Sequence, residues 1–111
     1  MLTLGSDSPV EDMSPFLGIY SAITRLSIDG TSPKGPDGFF PEQRISRLDA
    51  LRGYTINPAY ASFMEKEVGS IEPGKKADYV VVDRDLMTVE PKELLNVKVL
   101  TTVMDGVVVF G

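Results

Sequence analysis

The carboxylate of Asp7 is the side chain best placed to do chemistry in this sequence. It follows a short apolar segment, residues 2–5, that has the composition of a β-strand, and it precedes Ser8-Pro9. A carboxylate at the end of a strand can hold a metal ion or accept a proton from an attacking water. The same residue could instead begin an Asx-type turn before the proline. The local pattern leaves both interpretations open.

Histidine and cysteine are both absent from the 111 residues. Without histidine the chain cannot build a Ser-His-Asp triad, and without either residue it lacks the usual ligands of a three-ligand zinc site. The lack of cysteine also excludes disulfides and thiolate chemistry, and it fits the reducing cytoplasm, where we expect the protein to reside. The chain by itself therefore lacks the parts of the common hydrolytic sites.

The overall composition is that of a globular domain, with 42% hydrophobic and 24% charged residues. Sixteen acidic residues against 11 basic ones give a net charge of −5, and no basic cluster is present, so we expect no nucleic-acid partner. No apolar run approaches the roughly 20 residues of a membrane span, so we expect no membrane partner. The first residues also lack the pattern of a signal peptide.

Helical signals dominate the first part of the chain. Ser14-Pro15 is a helix start, and an apolar face follows at helical spacing, formed by Phe16, Ile19, Tyr20, Ile23 and Leu26. Arg25 lies near the end of this helix. Its positive charge either interacts favourably with the helix dipole or binds a substrate carboxylate. Glycines and prolines predict a loop over residues 29–40. Ser46 and Asp49 predict a capping box, and Asn57-Pro58 predicts a further helix that runs to about Glu65.

Strand signals dominate the rest. Pro73-Gly74 is typical of a type II turn, and Tyr79–Val82 has the unbroken apolar run of a strand covered on both faces. One or two helical turns are predicted at residues 91–95, followed by a strand over residues 97–104. Asp105-Gly106 predicts a type I′ hairpin turn that leads into Val107–Phe110.

Three segments together resemble one enzyme family. Residues 69–78, Gly-Ser-Ile-Glu-Pro-Gly-Lys-Lys-Ala-Asp, lead into an apolar strand that ends in Asp83 and resemble the C-terminal signature of the amidohydrolase superfamily. Residues 2–10 resemble the eighth barrel strand with its metal-binding aspartate, and residues 50–59 resemble the helices that follow. The best match is amidohydrolase family 3, which resembles D-aminoacylases and N-substituted formamide deformylases.

The resemblance implies a fold. These enzymes combine a (β/α)8 barrel with a small β-sandwich, and a barrel takes roughly 250 residues. We therefore expect an α+β fragment from the C-terminal end of a longer enzyme. Residues 1–66 would be the last strand and the following helices of the TIM-like barrel. Residues 67–111 would be the C-terminal part of the composite β-sandwich.

The resemblance also implies an activity. The parent enzyme would hydrolyse amide- or formamide-type carbon–nitrogen bonds of a small-molecule substrate with a divalent metal, which we expect to be zinc. In such enzymes the aspartate that matches Asp7 ligates the metal, takes a proton from the attacking water and passes it to the leaving nitrogen. The isolated chain is expected to be inactive and to hold no cofactor.

A different hypothesis is an autonomous α+β module that binds a partner without catalysis. The apolar strands Tyr79–Val82 and Val107–Phe110 argue against it, because so few strands cannot cover one another and three or more with cover are needed. We expect the rest of the parent chain or another subunit to cover them, and a homo-oligomer. A reading frame that continues upstream into a His-x-His segment would favour the enzyme.

Overall fold

A computed structural model describes residues 1–111 and has the α+β class that the sequence predicts. Three α-helices, α1 (Pro15–Thr24), α2 (Arg47–Tyr54) and α3 (Ile56–Ala61), precede a sheet of strands β1 (Tyr79–Val82), β2 (Val99–Met104) and β3 (Val107–Phe110). Short 3-10 helices cover Pro41–Gln43 and Pro91–Asn96. The sheet is antiparallel throughout, in the order β1-β2-β3.

Helix α1 begins at Pro15, as the sequence predicts, and ends at Thr24, two residues before Leu26 of the predicted apolar face. Pro15 occupies its first turn, and the backbone N–H of Ser14 donates to Asp12 Oδ1 at 2.8 Å, so the acidic residue supports the helix start. Ile19 and Tyr20 on the predicted apolar face are buried. Arg25 ends the helix in the left-handed region, at φ 60°.

Ser46 and Asp49 form the predicted cap at the start of α2. The Asp49 N–H donates to Ser46 Oγ at 3.0 Å, and the Ser46 hydroxyl donates to Asp49 Oδ2 at 2.7 Å. The aspartate carboxylate thus accepts from the serine side chain, whereas the longer glutamate of an ordinary capping box reaches back to the serine N–H. One backbone donor at the helix start is satisfied in this way.

Replacing Ser46 by alanine should lower the free energy of unfolding by about 1 kcal/mol, because the Asp49 N–H loses its acceptor. The midpoint of urea unfolding, followed by circular dichroism, measures this loss. Ser62→Ala is the matched control, since the Ser62 side chain is exposed and no hydrogen bond to it is present. Equal midpoints for the two variants would show that the cap does not stabilise α2.

Helix α3 differs from its prediction at both ends. It begins at Ile56, so Asn57 lies inside the helix, and it ends at Ala61, before the predicted end at about Glu65. The Asn57 side chain has another role, because its Nδ2 donates to the backbone oxygen of Leu2 at 2.7 Å. Phe63 adopts a positive φ of 60°, which a helix cannot continue through.

The predicted strand at residues 2–5 is wrong for this structure. A strand needs a neighbour with which to share backbone hydrogen bonds, and no other strand lies beside this segment. Leu4 N–H donates instead to the oxygen of Gly53 in α2 at 2.9 Å. The segment is therefore held by the corner between α2 and α3 rather than by a sheet.

The hairpin between β2 and β3 has the predicted turn. Asp105 and Gly106 have φ values of 50° and 79°, which is the left-handed pair that a type I′ turn requires. Strand β2 begins at Val99 rather than at residue 97. The reason is local, since Val97 still closes the preceding 3-10 helix through a hydrogen bond to Leu94.

Few side chains are fully removed from water. Eight of the 111 residues are buried, and the main cluster joins Ile19 and Tyr20 of α1, Ala50 of α2 and Leu94 of the second 3-10 helix. The sheet, in contrast, leaves most of its apolar side chains exposed, namely Tyr79, Val80, Val81, Leu100, Met104, Val107, Val108, Val109 and Phe110. None of the helices is long and apolar enough to cross a membrane.

Candidate active site

The segment that carries Asp7 is fixed against the helices at three points. Leu4 N–H bonds to the Gly53 oxygen, and the Leu2 oxygen accepts from Asn57 at 2.7 Å. The Leu4 side chain also lies so close to Gly53 that a Cβ there would overlap it. Glycine at position 53 of α2 is thus needed for the close approach of the Leu4 side chain. These contacts fix the segment of residues 2–4 that precedes Gly5.

Asp7 stands at the start of a turn, with its side chain in solvent. Val10 N–H donates to the Asp7 backbone oxygen at 2.9 Å, and Asp7 has a positive φ of 52°. The turn uses the backbone of Asp7, so the Asx-type turn that the sequence left open does not engage the carboxylate. This carboxylate takes part in none of the side-chain hydrogen bonds or ion pairs of the chain. It is available to an external proton or cation.

The chain's own residues do not complete a metal site around Asp7. No three of its acidic side chains come together in a group that could hold a metal ion, and the sequence has no histidine or cysteine to add. A hydrolytic zinc site takes about three protein ligands. Asp7 could supply one oxygen ligand to a metal ion. The remaining ligands would have to come from other parts of an enzyme.

A cavity of about 660 Å³, which we call the loop cavity, opens beside the Asp7 turn. Its wall includes residues on both sides of Asp7, the inner face of α1, the loop that follows α1, and the end of α2. The lining residues include Asp12, Leu17, Arg25, Phe39 and Tyr54. Its volume lies in the range that small-molecule sites occupy, about 300–1,000 Å³.

Tyr54 lines the loop cavity where α1 and α2 meet. Its ring lies over Gly18, where a methyl group would collide with the tyrosine hydroxyl. Burial raises the pKa of the Tyr54 phenol above its ordinary value, because desolvation disfavours the phenolate. The phenol is therefore neutral at physiological pH and serves the cavity as an uncharged, apolar ring.

Two arginines hold the loop of residues 25–44 over this cavity. Arg25 Nε donates to the oxygen of Phe39 at 2.8 Å, and Arg44 Nε donates to the oxygen of Thr24 at 3.3 Å. Arg44 also bonds to the backbone oxygen of Asp37. The sequence left open whether Arg25 acts on the helix dipole or on a substrate. In the structure its side chain bonds to the loop rather than to the last carbonyls of α1.

A second cavity, the sheet groove, lies between α3 and the sheet. Its volume is about 750 Å³, and its walls are mostly apolar, with Ala59, Met64, Val68, Tyr79 and Val103 among them. It contains no group of three or more acidic side chains that could hold a metal ion, since none is found in the chain. The sheet groove therefore presents mainly apolar surface rather than groups for a reaction.

The turn before β1 is tied by a small polar network. Lys75 Nζ lies 2.6 Å from Ser70 Oγ and 3.0 Å from Glu72 Oε2, and Ser70 also bonds to Glu72. The hydrogen bond from Ser70, together with Lys75, lowers the pKa of the Glu72 carboxyl. Gly74 supplies the positive φ of 92° that the predicted type II turn needs. The network thus joins three side chains of the same turn.

Sequence reasoning missed the residues that shape the loop cavity. Nothing in the spacing pointed to Tyr54 or Arg44, because their contacts join segments far apart in the chain. One signal was present: Gly18 lies inside a helix, where glycine costs about 1 kcal/mol relative to alanine, and such a glycine often marks a close approach of another element.

The chain belongs to the amidohydrolase family, whose sequence profile matches residues 1–110. The fold agrees, because the crystal structure of an amidohydrolase from Thermotoga maritima superposes with a TM-score of 0.69 at 27% identity over 97% of this chain. The predicted family membership is thereby confirmed.

Two relatives are similar to this chain in amino-acid sequence. The N-substituted formamide deformylase of Arthrobacter pascens is 41% identical over 106 residues, and the putative amidohydrolase YtcJ of Bacillus subtilis is 32% identical over 106 residues. Each alignment covers 96% of this chain. The chain spans about a fifth of the length of these relatives, 18% and 20%, and 22% of the Thermotoga chain.

Proposed function

We propose that this chain is the C-terminal segment of a metal-dependent hydrolase that cleaves amide- or formamide-type carbon–nitrogen bonds of small molecules. The observation that carries the proposal is the family match over residues 1–110 together with the unpaired carboxylate of Asp7. The name of the Arthrobacter pascens relative supports the substrate class. Residues 1–66 would complete the barrel and residues 67–111 the β-sandwich.

Asp7 would act in two ways in such an enzyme. A divalent metal, zinc in our proposal, would supply Lewis-acid activation of the attacking water. Asp7 would provide one oxygen ligand and accept the proton of that water, then donate it to the leaving nitrogen. Its carboxylate suits this role because no internal hydrogen bond must break before it takes up a proton.

The proposal can be tested through the coding sequence and the native protein. We expect the reading frame to continue upstream into a His-x-His segment, and the native polypeptide to be several times longer than 111 residues by mass spectrometry. A native product of this length would contradict the enzyme hypothesis and favour the autonomous binding module. The cytoplasm is the expected compartment, and fractionation of cells would check it.

The isolated chain should show neither hydrolysis nor tight zinc binding. One carboxylate cannot replace a first shell of about three ligands, so calorimetric titration with zinc should give only weak binding. A formamide such as N-benzylformamide serves as the substrate for the parallel activity assay. Stoichiometric tight binding, or turnover by the chain alone, would overturn the assignment of the chain as a segment.

The apolar sheet should make the isolated chain associate. Strand β3 is an edge strand whose side chains are all exposed, and Phe110 is 58% exposed. We propose that the rest of the parent chain or another subunit covers these strands in the native protein, which we expect to be a homo-oligomer. Light scattering of the isolated chain should therefore detect dimers or larger species, and a monomer at high concentration would contradict this.

A further inference from the structure

Phe63 has the most exposed large apolar side chain of the protein. Its exposed fraction is 93%, against 54% for Tyr60 three residues earlier and 39% for Met64 directly after it. A single exposed apolar residue needs no explanation by itself, because much of any protein surface is apolar. The backbone conformation of Phe63 is the feature that does need one.

Phe63 occupies the glycine position of a Schellman motif at the end of α3. The Met64 N–H donates to the Ala59 oxygen at 2.8 Å, and the Phe63 N–H donates to the Tyr60 oxygen at 3.0 Å. These two bonds define the motif, and residue 63 accordingly lies in the left-handed region at φ 60°. Glycine is the usual residue there, because a Cβ is crowded in that conformation. The chain therefore has a bulky aromatic residue where glycine would be more stable.

The helix end does not use the phenylalanine ring. The apolar contact that accompanies a Schellman motif joins the positions held here by Ala59 and Met64, and both residues line the sheet groove. Phe63 lines neither the sheet groove nor the loop cavity. Its ring thus projects into solvent from a backbone that two hydrogen bonds fix. Aromatic side chains of this kind are the usual anchors of protein–protein interfaces.

The position of Phe63 favours one kind of partner. Gly69, in the segment that leads to β1, lies so close to Ala59 of α3 that a Cβ there would overlap the alanine side chain. Phe63 therefore lies where the helical part of the chain meets the β part. The chain spans only 18% and 20% of two relatives, so most of such a protein is available to contact this junction. A second copy of the chain fits less well, because it would bring the same net charge of −5.

We propose that Phe63 is a docking anchor, whose ring is buried in an uncharged, apolar pocket on the part of the parent enzyme that this chain lacks. The inference rests on the proposed function in one respect, since it assumes that such a longer enzyme exists. Burial of the ring there would offset the conformational cost of the left-handed backbone. This contact is separate from the covering of β1, β2 and β3, because Phe63 directly follows the end of α3.

The sign of the change in melting temperature on F63G tests the anchor. Glycine removes both the ring and the cost of the left-handed backbone. In the 111-residue chain, where the ring lies in solvent, F63G should raise the melting temperature by about 4 °C. In the full-length enzyme F63G should lower it by about 4 °C or more, because the lost apolar contact outweighs the relieved strain. A rise in both proteins would overturn the inference.

Two further variants assign the effect to the ring of Phe63. F63A removes the ring but keeps the left-handed cost, so it should destabilise the full-length enzyme more than F63G and leave the 111-residue chain nearly unchanged. M13A is the matched control, because Met13 is also an exposed apolar residue, at 80%, but precedes α1. It should change neither melting temperature. A loss in full-length M13A as large as in F63A would contradict a specific role of Phe63.

Light scattering and an activity assay separate this inference from its alternatives. If F63A converts an associated 111-residue chain into a monomer and leaves the full-length enzyme unchanged, the partner is a second copy and the inference is overturned. A full-length enzyme that hydrolyses a formamide and is stabilised by F63G would leave the hydrolase proposal standing and overturn the anchor. A full-length protein that hydrolyses no formamide but is destabilised by F63G would support the anchor and count against the hydrolase proposal.

Discussion

Replacement of Asp7 by asparagine should reduce the turnover of the full-length enzyme by about 10²- to 10⁴-fold. Asparagine keeps the size and shape of the side chain but cannot accept the proton of the attacking water. Because the Asp7 side chain is exposed and makes no internal bond, the fold should be unaffected. Steady-state kinetics with a formamide substrate, together with the melting temperature, measure the two effects separately.

Asp37→Asn is the matched control for this experiment. Asp37 is also exposed and its side chain makes no hydrogen bond, so the variant removes the same charge from the loop without touching the turn of Asp7. Its turnover should equal that of the wild type. Activity of the Asp7→Asn enzyme near that of Asp37→Asn would remove Asp7 from the mechanism.

Replacement of Leu94 by alanine should cost about 2–5 kcal/mol of the free energy of unfolding. Leu94 is fully buried, at 0% exposure, and it packs against Ile19 and Tyr20 of α1. With so few buried residues, little else can take over the lost contact. A domain is normally stable by only about 5–15 kcal/mol, so the variant should be largely unfolded at moderate urea concentrations.

Urea unfolding of the 111-residue chain at low protein concentration, followed by tyrosine fluorescence, provides the measurement. Leu100→Ala removes the same atoms from a half-exposed site on β2, and its cost should be about 0.5 kcal/mol. If the two leucine variants unfold at the same urea concentration, the cluster around Leu94 is not the core of this fold.

Local signals were enough to predict the elements whose geometry a few adjacent residues determine. Asp105-Gly106 predicted the hairpin because a type I′ turn demands two positive φ values, and Asp and Gly tolerate them. Ser46 and Asp49 predicted the start of α2 for a similar reason, since the cap closes within four residues. In both places the deciding contacts lie close together in the sequence.

Contacts between distant segments could not be predicted. Residues 2–5 have a strand composition, yet a strand exists only with a neighbour, and their partners here are Gly53 and Asn57. Asp7 was proposed as a site residue from the sequence and stays a prediction, whereas the cavity beside it was not predicted. That cavity depends on the packing of the Tyr54 ring against Gly18. It also depends on the hydrogen bonds from Arg25 and Arg44 to backbone oxygens at the two ends of the loop.

The core that joins α1 to Leu94 also has a consequence for biosynthesis. About 75 residues separate Ile19 from Leu94, so a ribosome that elongates at 5–20 residues per second needs roughly 4–15 s between the two. During that interval the apolar face of α1 can pack against Ala50 of α2 but lacks its contact with Leu94. The side chains of Ile19 and Tyr20 therefore lack part of their final contacts for seconds, and we expect a chaperone that binds the nascent chain to do so at this helix.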